Sequence, residues 1–130
     1  MSHSKPPSEG ELLVLQALWE CPVTTVQQVH TWLEEQGKKV AYTTVLTQLQ
    51  RMHRKGLVDR QRNGKQHLYT AVPERVAVEA QLIAHLRDTA FGGSEIRLAL
   101  RALGSHRQFD TGELDALQDW LAQQKTDTND

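Results

Sequence analysis

The sequence predicts a mainly α-helical protein with a small β-hairpin wing (a winged helix-turn-helix) and a C-terminal helical segment. Three observations support this fold class. Apolar residues recur at three- and four-residue spacing through most of the chain, as in helices with one buried face. Asn63-Gly64 separates two predicted strands, 57–62 and 65–71, and this dipeptide strongly favours a two-residue hairpin turn. Gly56 ends a helix directly before the hairpin, which is the element order of a winged helix.

Capping-box spacing marks the starts of the first two helices. In a capping box, a Ser or Thr side chain and a Glu or Gln three residues later bind exposed backbone N–H groups at the helix start. Ser8 with Glu11 predicts the first start, and Thr25 with Gln28 predicts the second. The expected buried faces are Leu12, Leu15, Leu18 and Trp19 in the first helix and Val26, Val29, Trp32 and Leu33 in the second.

The third helix, predicted from Thr43 to Lys55, has a polar side without any acidic residue. An ordinary solvated helix mixes glutamate with lysine, because such pairs add stability. Short polar side chains and arginine on a helix can reach base edges in the major groove of B-DNA. The expected base contacts are Thr44, Thr47, Gln48 and Arg51, and the expected DNA-backbone contacts are Tyr42, Thr43 and Arg54. A plain solvated face is the alternative, and Tyr42 could instead pack at the helix start.

The predicted hairpin adds positive charge next to this helix. Its expected contacts with phosphates or the minor groove are Arg60, Arg62, Lys65 and His67. Residues 1–75 hold ten Lys and Arg against seven Asp and Glu, whereas residues 76–130 hold five against nine. The net charge of −1 is therefore the sum of a basic part, which can bind a polyanion, and an acidic part, which is expected to contact protein or water.

After Pro73 the pattern changes to three short helices, predicted over 74–91, from Ser94 and from Asp110. Three helices in about 50 residues bury too little surface to form a stable independent domain. Packing against the same segment of a second chain would supply the missing burial, although the apolar stripes could also form an internal core. The predicted dimerisation residues are Ile83, Leu86, Phe91, Leu100, Leu103, Leu114, Leu117, Trp120 and Leu121.

These patterns predict four regions along the chain. They are a flexible tail at 1–7, a winged helix-turn-helix DNA-binding domain at 8–73, a helical dimerisation segment at 74–124 and a flexible tail at 125–130. No stretch is long and apolar enough to span a membrane, and the first residues lack the apolar core of a signal peptide. We therefore expect no membrane contact and a cytoplasmic location.

Residue types that carry catalysis or bind metals do not form a recognisable motif. The six histidines are scattered without the i, i+4 spacing of a zinc site, and Cys21 is the single cysteine. No nucleophile motif and no glycine-rich phosphate loop is present. The sequence thus predicts no metal, no cofactor and no enzymatic activity, with Cys21 as a packing residue at a helix end.

The chain resembles the penicillinase repressor family of bacterial winged-helix transcriptional regulators over nearly its whole length. The matching segments are ELLVLQALW at 11–19, AYTTVLT at 41–47, KGLV at 55–58, GKQHLYT at 64–70 and FGGS at 91–94. The resemblance implies a homodimer that binds a palindromic operator in double-stranded DNA and represses transcription. It also implies that the helix near Thr43 enters the major groove and that the segment from about Arg75 onward forms the dimer.

The resemblance does not imply a particular mechanism by which repression is relieved. In one branch of the family, a membrane sensor protease leads to cleavage at an Asn-Phe bond, but this chain has no Asn-Phe dipeptide and carries LRAL in the comparable region, 100–103. A copper-responsive branch has a C-terminal cysteine pattern that this chain lacks. A sensor protein therefore stays unidentified. Two other interpretations remain open: a winged-helix protein-interaction module without DNA binding, and a metal- or ligand-sensing regulator.

Overall fold

The computed structural model describes residues 5–105 and 108–128 as six helices and one two-stranded antiparallel sheet. The elements are α1 (Glu9–Glu20), α2 (Val26–Glu35), α3 (Tyr42–Lys55), β1 (Val58–Asn63), β2 (Gln66–Ala71), α4 (Arg75–Ala90), α5 (Glu95–Gly104) and α6 (Thr111–Thr128). The chain forms two compact units, and the division between them falls between His85 and Leu86. The predicted fold class, helices with one hairpin and a helical C-terminal part, is confirmed.

The core of the first unit lies between α1, α2, α3 and the hairpin. Leu15, Leu49 and Met52 are completely buried there, and Tyr69 of β2 is 1% exposed. Thr24, in the α1–α2 connection, pairs with Tyr69 as an isolated antiparallel bridge. The Thr24 N–H donates to the Tyr69 carbonyl at 3.2 Å, and the Tyr69 N–H donates to the Thr24 carbonyl at 2.7 Å. This bridge attaches the hairpin to the helical part of the unit.

Both predicted capping boxes are present. The Ser8 hydroxyl accepts from the Glu11 N–H while the Glu11 carboxylate accepts from the Ser8 N–H, and Thr25 and Gln28 make the same exchange. The third helix begins at Tyr42, one residue before the predicted Thr43, and has no side-chain cap. It ends at the predicted glycine: Gly56 has φ of 82° in the left-handed region, which glycine adopts at little cost.

The hairpin turn lies one residue later than predicted. Asn63 pairs with Gln66, so the two turn residues are Gly64 and Lys65 rather than Asn63 and Gly64. Gly64 has φ of 67°, and no non-glycine residue in the described part of the chain has a positive φ. A turn with glycine at the first central position and an ordinary second residue is of type II′, not the predicted type I′. Lys65 therefore lies at the tip of the hairpin.

The fourth helix has apolar residues on two sides, and only one of these sides packs on the core of the first unit. Val78 is buried in the core of the first unit and Leu82 packs against it. Val76 and Ile83, the latter predicted as a dimerisation residue, are 71% and 50% exposed. Val78 and Leu82 thus form a second apolar stripe on the same helix.

The second unit contains α5, α6 and the end of α4. Gly92 and Gly93 both have positive φ and form the joint between α4 and α5. The Asp110 side chain accepts from the Glu113 N–H, and the Glu113 carboxylate accepts from the Asp110 N–H, so the predicted start of the last helix is capped reciprocally. That helix continues to Thr128, into the segment predicted as a polar tail. Residues 1–4 and 129–130 of the two predicted tails lie outside the described residues.

Glu11 is a carboxylate buried at the start of the first helix. It is 4% exposed, and its Oε2 accepts a hydrogen bond from the Lys55 Nζ at 2.5 Å. Burial raises the pKa of Glu11, but the hydrogen bonds from Lys55 and the Ser8 backbone, together with the Lys55 charge, outweigh it and leave the pKa below its ordinary value. The side chain of Lys55, the last residue of α3, thus contacts α1.

We expect Lys55→Met to lower the free energy of unfolding by about 1–3 kcal/mol, because the buried carboxylate loses its charged donor. Glu11→Gln/Lys55→Met should recover part of this loss, since glutamine still accepts from the Ser8 N–H. Urea unfolding measures both changes. Arg54→Met, which removes a charge from the preceding exposed residue, is the control and should stay within about 0.5 kcal/mol of the wild type.

The Glu11 pair also predicts a pH dependence. A carboxylate with a lowered pKa in the folded state stabilises the fold fully above its ordinary pKa of about 4.3, and this contribution is lost as the pH falls through the lowered value. Urea midpoints measured from neutral to acidic pH should therefore fall more steeply for the wild type than for Glu11→Gln/Lys55→Met. Parallel curves would contradict the assignment.

Candidate nucleic-acid interface

The third helix buries one side and exposes the other. Val45, Leu49 and Met52 are buried in the core of the first unit. The opposite side carries the side chains that the sequence predicted as DNA contacts. Of these, Thr43, Thr44, Thr47, Arg51 and Arg54 are exposed and Gln48 is half-buried. The described side chains on this face therefore offer donors, acceptors and positive charge, and none is acidic.

Five predicted contact residues share one surface depression of about 260 Å³. It is lined by Thr43, Thr44, Thr47, Gln48 and Arg51. The Arg51 Nη1 donates to the Gln48 Oε1 at 3.4 Å, a long hydrogen bond that is easily exchanged for one with a ligand. Arginine can bind guanine and glutamine can bind adenine through two hydrogen bonds each. The depression thus presents the two residue types suited to reading bases side by side.

Gly10 of α1 approaches the polar face of α3 closely. A Cβ atom added to Gly10 would lie 3.1 Å from the Gln48 Nε2, which is tighter than an ordinary contact. The absence of a side chain on Gly10 therefore leaves the space in which the Gln48 amide lies. Sequence analysis missed this residue, because nothing local marks a glycine inside a helix as a contact of a distant glutamine.

A second cleft, of about 190 Å³, lies between α3, the start of α2 and the hairpin. It brings together three residues predicted as DNA contacts: Tyr42, Lys65 and His67. It also contains three glutamines that sequence analysis missed: Gln27 of α2, Gln50 of α3 and Gln66 of β2. Gln50 lies two helical turns after Tyr42, and this spacing could have indicated that both face the hairpin.

The wing, defined here as β1, β2 and their turn, exposes its arginines. Arg60 and Arg62 are exposed on β1, and Arg62 is paired in register with His67 on β2. Residues paired across an antiparallel ladder share a face of the sheet, so Arg62 and His67 lie on the same side. The Arg62 Nε donates to the Gly64 carbonyl at 3.2 Å, which holds its guanidinium beside the turn that carries Lys65.

His30 of α2 supports the residues that lead into α3. Its Nε2 lies 2.8 Å from the Val40 carbonyl, and a carbonyl only accepts, so Nε2 carries the proton. Its ring meets the Tyr42 ring edge-on, with centroids 6.0 Å apart. Nδ1 is buried 3.8 Å from a Glu34 carboxylate oxygen and has no hydrogen-bond partner among the described residues. Tyr42 itself is 42% exposed, so it both packs on His30 and faces solvent.

The predicted dimerisation residues form an exposed apolar surface in α4, α5 and α6. Those with large exposed side chains are Ile83, Leu86, Leu100, Leu103, Leu114, Trp120 and Leu121, whereas Phe91 and Leu117 are half-buried. No residue of α5 is buried. Phe91 and Leu100 line a cleft of about 370 Å³ together with Arg97 and Arg101. Within the described ranges, much of the apolar surface of α5 and α6 is exposed to water, and large exposed apolar patches are typical of interaction surfaces.

The remaining residue types give no further site. Across residues 5–105 and 108–128, no three His, Cys, Asp or Glu side chains are grouped closely enough to hold a metal ion. Cys21 is exposed rather than packed, which corrects the sequence-based expectation; the residue lies just after the end of α1. His3 and His106, two of the six histidines, lie outside the described residues. None of the helices searched there could cross a membrane.

Solved structures share the fold of this chain. A MarR family protein from Bacillus stearothermophilus matches with a TM-score of 0.52 and 18% identity, covering 96% of this chain and 77% of that one. The hsRosR-S4 complex structure matches with a TM-score of 0.53 and 19% identity, covering 88% and 96%. At these identities the likeness concerns the fold alone, which is a winged helix.

The family is given by the sequence itself. The profile of the penicillinase repressor family matches residues 7–123, and the chain belongs to this family. Comparison with curated protein sequences finds no match. The protein is thus a winged-helix DNA-binding transcriptional regulator. Proteins of this class are generally not enzymes.

We expect His30→Ala to lower the free energy of unfolding by about 1–2 kcal/mol, because the Val40 carbonyl loses its donor and the ring leaves Tyr42. His30→Gln can return an N–H near the position of Nε2 and should cost clearly less. Urea unfolding at neutral pH compares the two variants. Equal losses would show that packing, and not the hydrogen bond to Val40, is what His30 provides.

Proposed function

We propose that this protein represses transcription as a homodimer that binds a palindromic operator. The observation that supports this most directly is the pairing of two exposed surfaces in one unit: the polar side of α3 without acidic residues, and a wing carrying Arg60, Arg62 and Lys65. One helix fits the major groove, and basic side chains beside it bind phosphates. We infer a cytoplasmic location, where the operator would be accessible.

Contact roles follow from where the side chains lie. Thr44, Thr47, Gln48 and Arg51, which share the depression on α3 with Thr43, would contact bases. Tyr42, Thr43 and Arg54 at the two ends of the helix would contact the DNA backbone, together with Arg60, Arg62, Lys65 and His67 of the wing. Gln27 and Gln50 join this group, because they line the cleft that holds Tyr42 and Lys65.

The homodimer is supported by the apolar surface of α4, α5 and α6. Large exposed side chains cluster there: Leu100 is 64% exposed and Trp120 is 56% exposed. A second copy would cover this surface with the same residues, as two-fold symmetry requires. Two recognition helices would then read half-sites about one helical turn of DNA apart, which matches a palindrome to the symmetry of the protein.

We expect Arg51→Ala to cost about 1–3 kcal/mol of operator binding and to relax base preference at one position in each half-site. The operator is obtained by sequencing the fragments that the protein retains from a random DNA pool. Fluorescence anisotropy on the operator and on single-base variants then measures the preference. An Arg51→Ala protein that discriminates among those variants as well as the wild type would exclude a base contact by Arg51.

Lys65→Ala should weaken binding to all DNA sequences alike and reduce the slope of log affinity against log salt by about one, because a phosphate contact carries no sequence information. Lys125→Ala removes the same charge from α6 and serves as the control, with no change expected. A wild-type protein with weak and salt-independent binding would favour a protein-interaction module instead.

Trp120→Asp should raise the dimer dissociation constant at least about tenfold, because a charge replaces a large apolar side chain at the proposed interface. Thr126→Asp introduces the same charge on the side of α6 opposite Leu114, Leu117 and Leu121, and should leave the dimer intact. Analytical ultracentrifugation measures both variants. A dimer unaffected by Trp120→Asp, or equally weakened by Thr126→Asp, would contradict this interface.

A further inference from the structure

We propose that a cavity at the base of the wing binds a small organic anion with an apolar body, and that this binding weakens the hold of the protein on its operator. The cavity has a volume of about 640 Å³ and lies within the first unit. Ligand sites of proteins commonly measure about 300–1,000 Å³. The second half of the proposal rests on the proposed function, whereas the first half does not.

The walls of the cavity are mainly apolar. Pro6 and Pro7 come from the segment before α1, Leu57 from the start of the hairpin and Pro73 from the turn into α4. Three of these four residues are prolines, whose rings fix one backbone angle each and have no side-chain rotamers to order when a ligand enters.

The polar groups of the cavity indicate the charge of its ligand. Both oxygens of Glu11 already accept hydrogen bonds: Oε1 accepts from the Ser8 N–H at 2.9 Å, and Oε2 accepts from Lys55. The Lys55 ammonium has three protons and gives one of them to Glu11, and its side chain is 52% exposed. Lys5 adds a second ammonium to the lining. Two cations against one neutralised carboxylate favour a ligand with an anionic head, such as a carboxylate.

The cavity is connected to α3 through one ion pair, Lys55 with Glu11. Lys55 is the last residue of α3, and Glu11 belongs to the capping box of α1. A ligand carboxylate beside Lys55 competes with Glu11 for the ammonium and so loosens the tie between the two helices. Because ligand and operator then act on the same helix, their affinities are coupled, and each lowers the other by the same factor.

Binding is tested first without DNA, on the full-length ¹⁵N-labelled protein. Benzoate and cyclohexanecarboxylate are titrated beside their matched amides, benzamide and cyclohexanecarboxamide. We expect saturable shifts at the backbone amides of Glu11, Lys55 and Leu57, with the carboxylates binding roughly tenfold more tightly than the amides. Equal affinities, shifts confined to other residues or an absence of saturable shifts would overturn the site.

Two variants test the assignment of the charges. Glu11→Gln/Lys55→Met removes the pair together and should remove most of the preference for carboxylates while amide binding remains. Lys5→Met lies before the first helix, does not disturb a core residue and should lower carboxylate affinity by a smaller factor. Lys125→Met is the control for total charge. A double variant that prefers carboxylates as strongly as the wild type would overturn the role of Lys55.

The regulatory half is tested by titrating operator DNA with and without saturating benzoate. We expect operator affinity to fall about two- to tenfold for the wild type, within the usual range of allosteric coupling, and not at all for Glu11→Gln/Lys55→Met. Unchanged affinity in the wild type would overturn the coupling and leave the site standing. A protein that does not bind DNA at all would refute the proposed function, and the ¹⁵N titration would still decide the site.

Discussion

Two hydrogen bonds between Thr24 and Tyr69 hold the wing against the helices. A two-stranded hairpin by itself is only marginally stable in water. Both residues of the bridge are buried, so water does not compete for the two bonds, and the Tyr69 ring fills space in the core. The cleft that brings Lys65 of the turn to Tyr42 of the recognition helix depends on this attachment.

Helix α3 has three different surroundings: the core, solvent and a carboxylate of α1. One side fills the core with Val45, Leu49 and Met52, and the other side leaves Arg51 to solvent. Its last residue, Lys55, belongs to neither side and neutralises a buried carboxylate of α1 instead. Without Glu11, Lys55 would be a further unpaired positive charge at the end of α3. The distribution of charge on this helix therefore results from tertiary pairing as much as from its own residues.

The fourth helix links the two kinds of surface in the molecule. Val78 and Leu82 belong to the core of the first unit, while Val76 and Ile83 on the same helix remain in water. Its start is tied to α1, because the Trp19 Nε1 donates to the Pro73 carbonyl at 3.0 Å and the Arg75 guanidinium lies over the Trp19 ring. The fourth helix therefore has apolar residues on two sides, of which one is covered by the core of the first unit and the other is exposed.

The sequence by itself determined the helix starts at Ser8 and Thr25, the stop at Gly56 and the acid-free side of α3, because each depends on residues a few positions apart. It predicted the hairpin but misplaced the turn, because Gly64 has a positive φ and Asn63 does not. Tertiary structure decided what depends on distant partners: Lys55 on Glu11, 44 positions away, and Trp19 on Pro73, 54 positions away. Such pairs form only when packing brings their elements together, so no local pattern in the chain could reveal them.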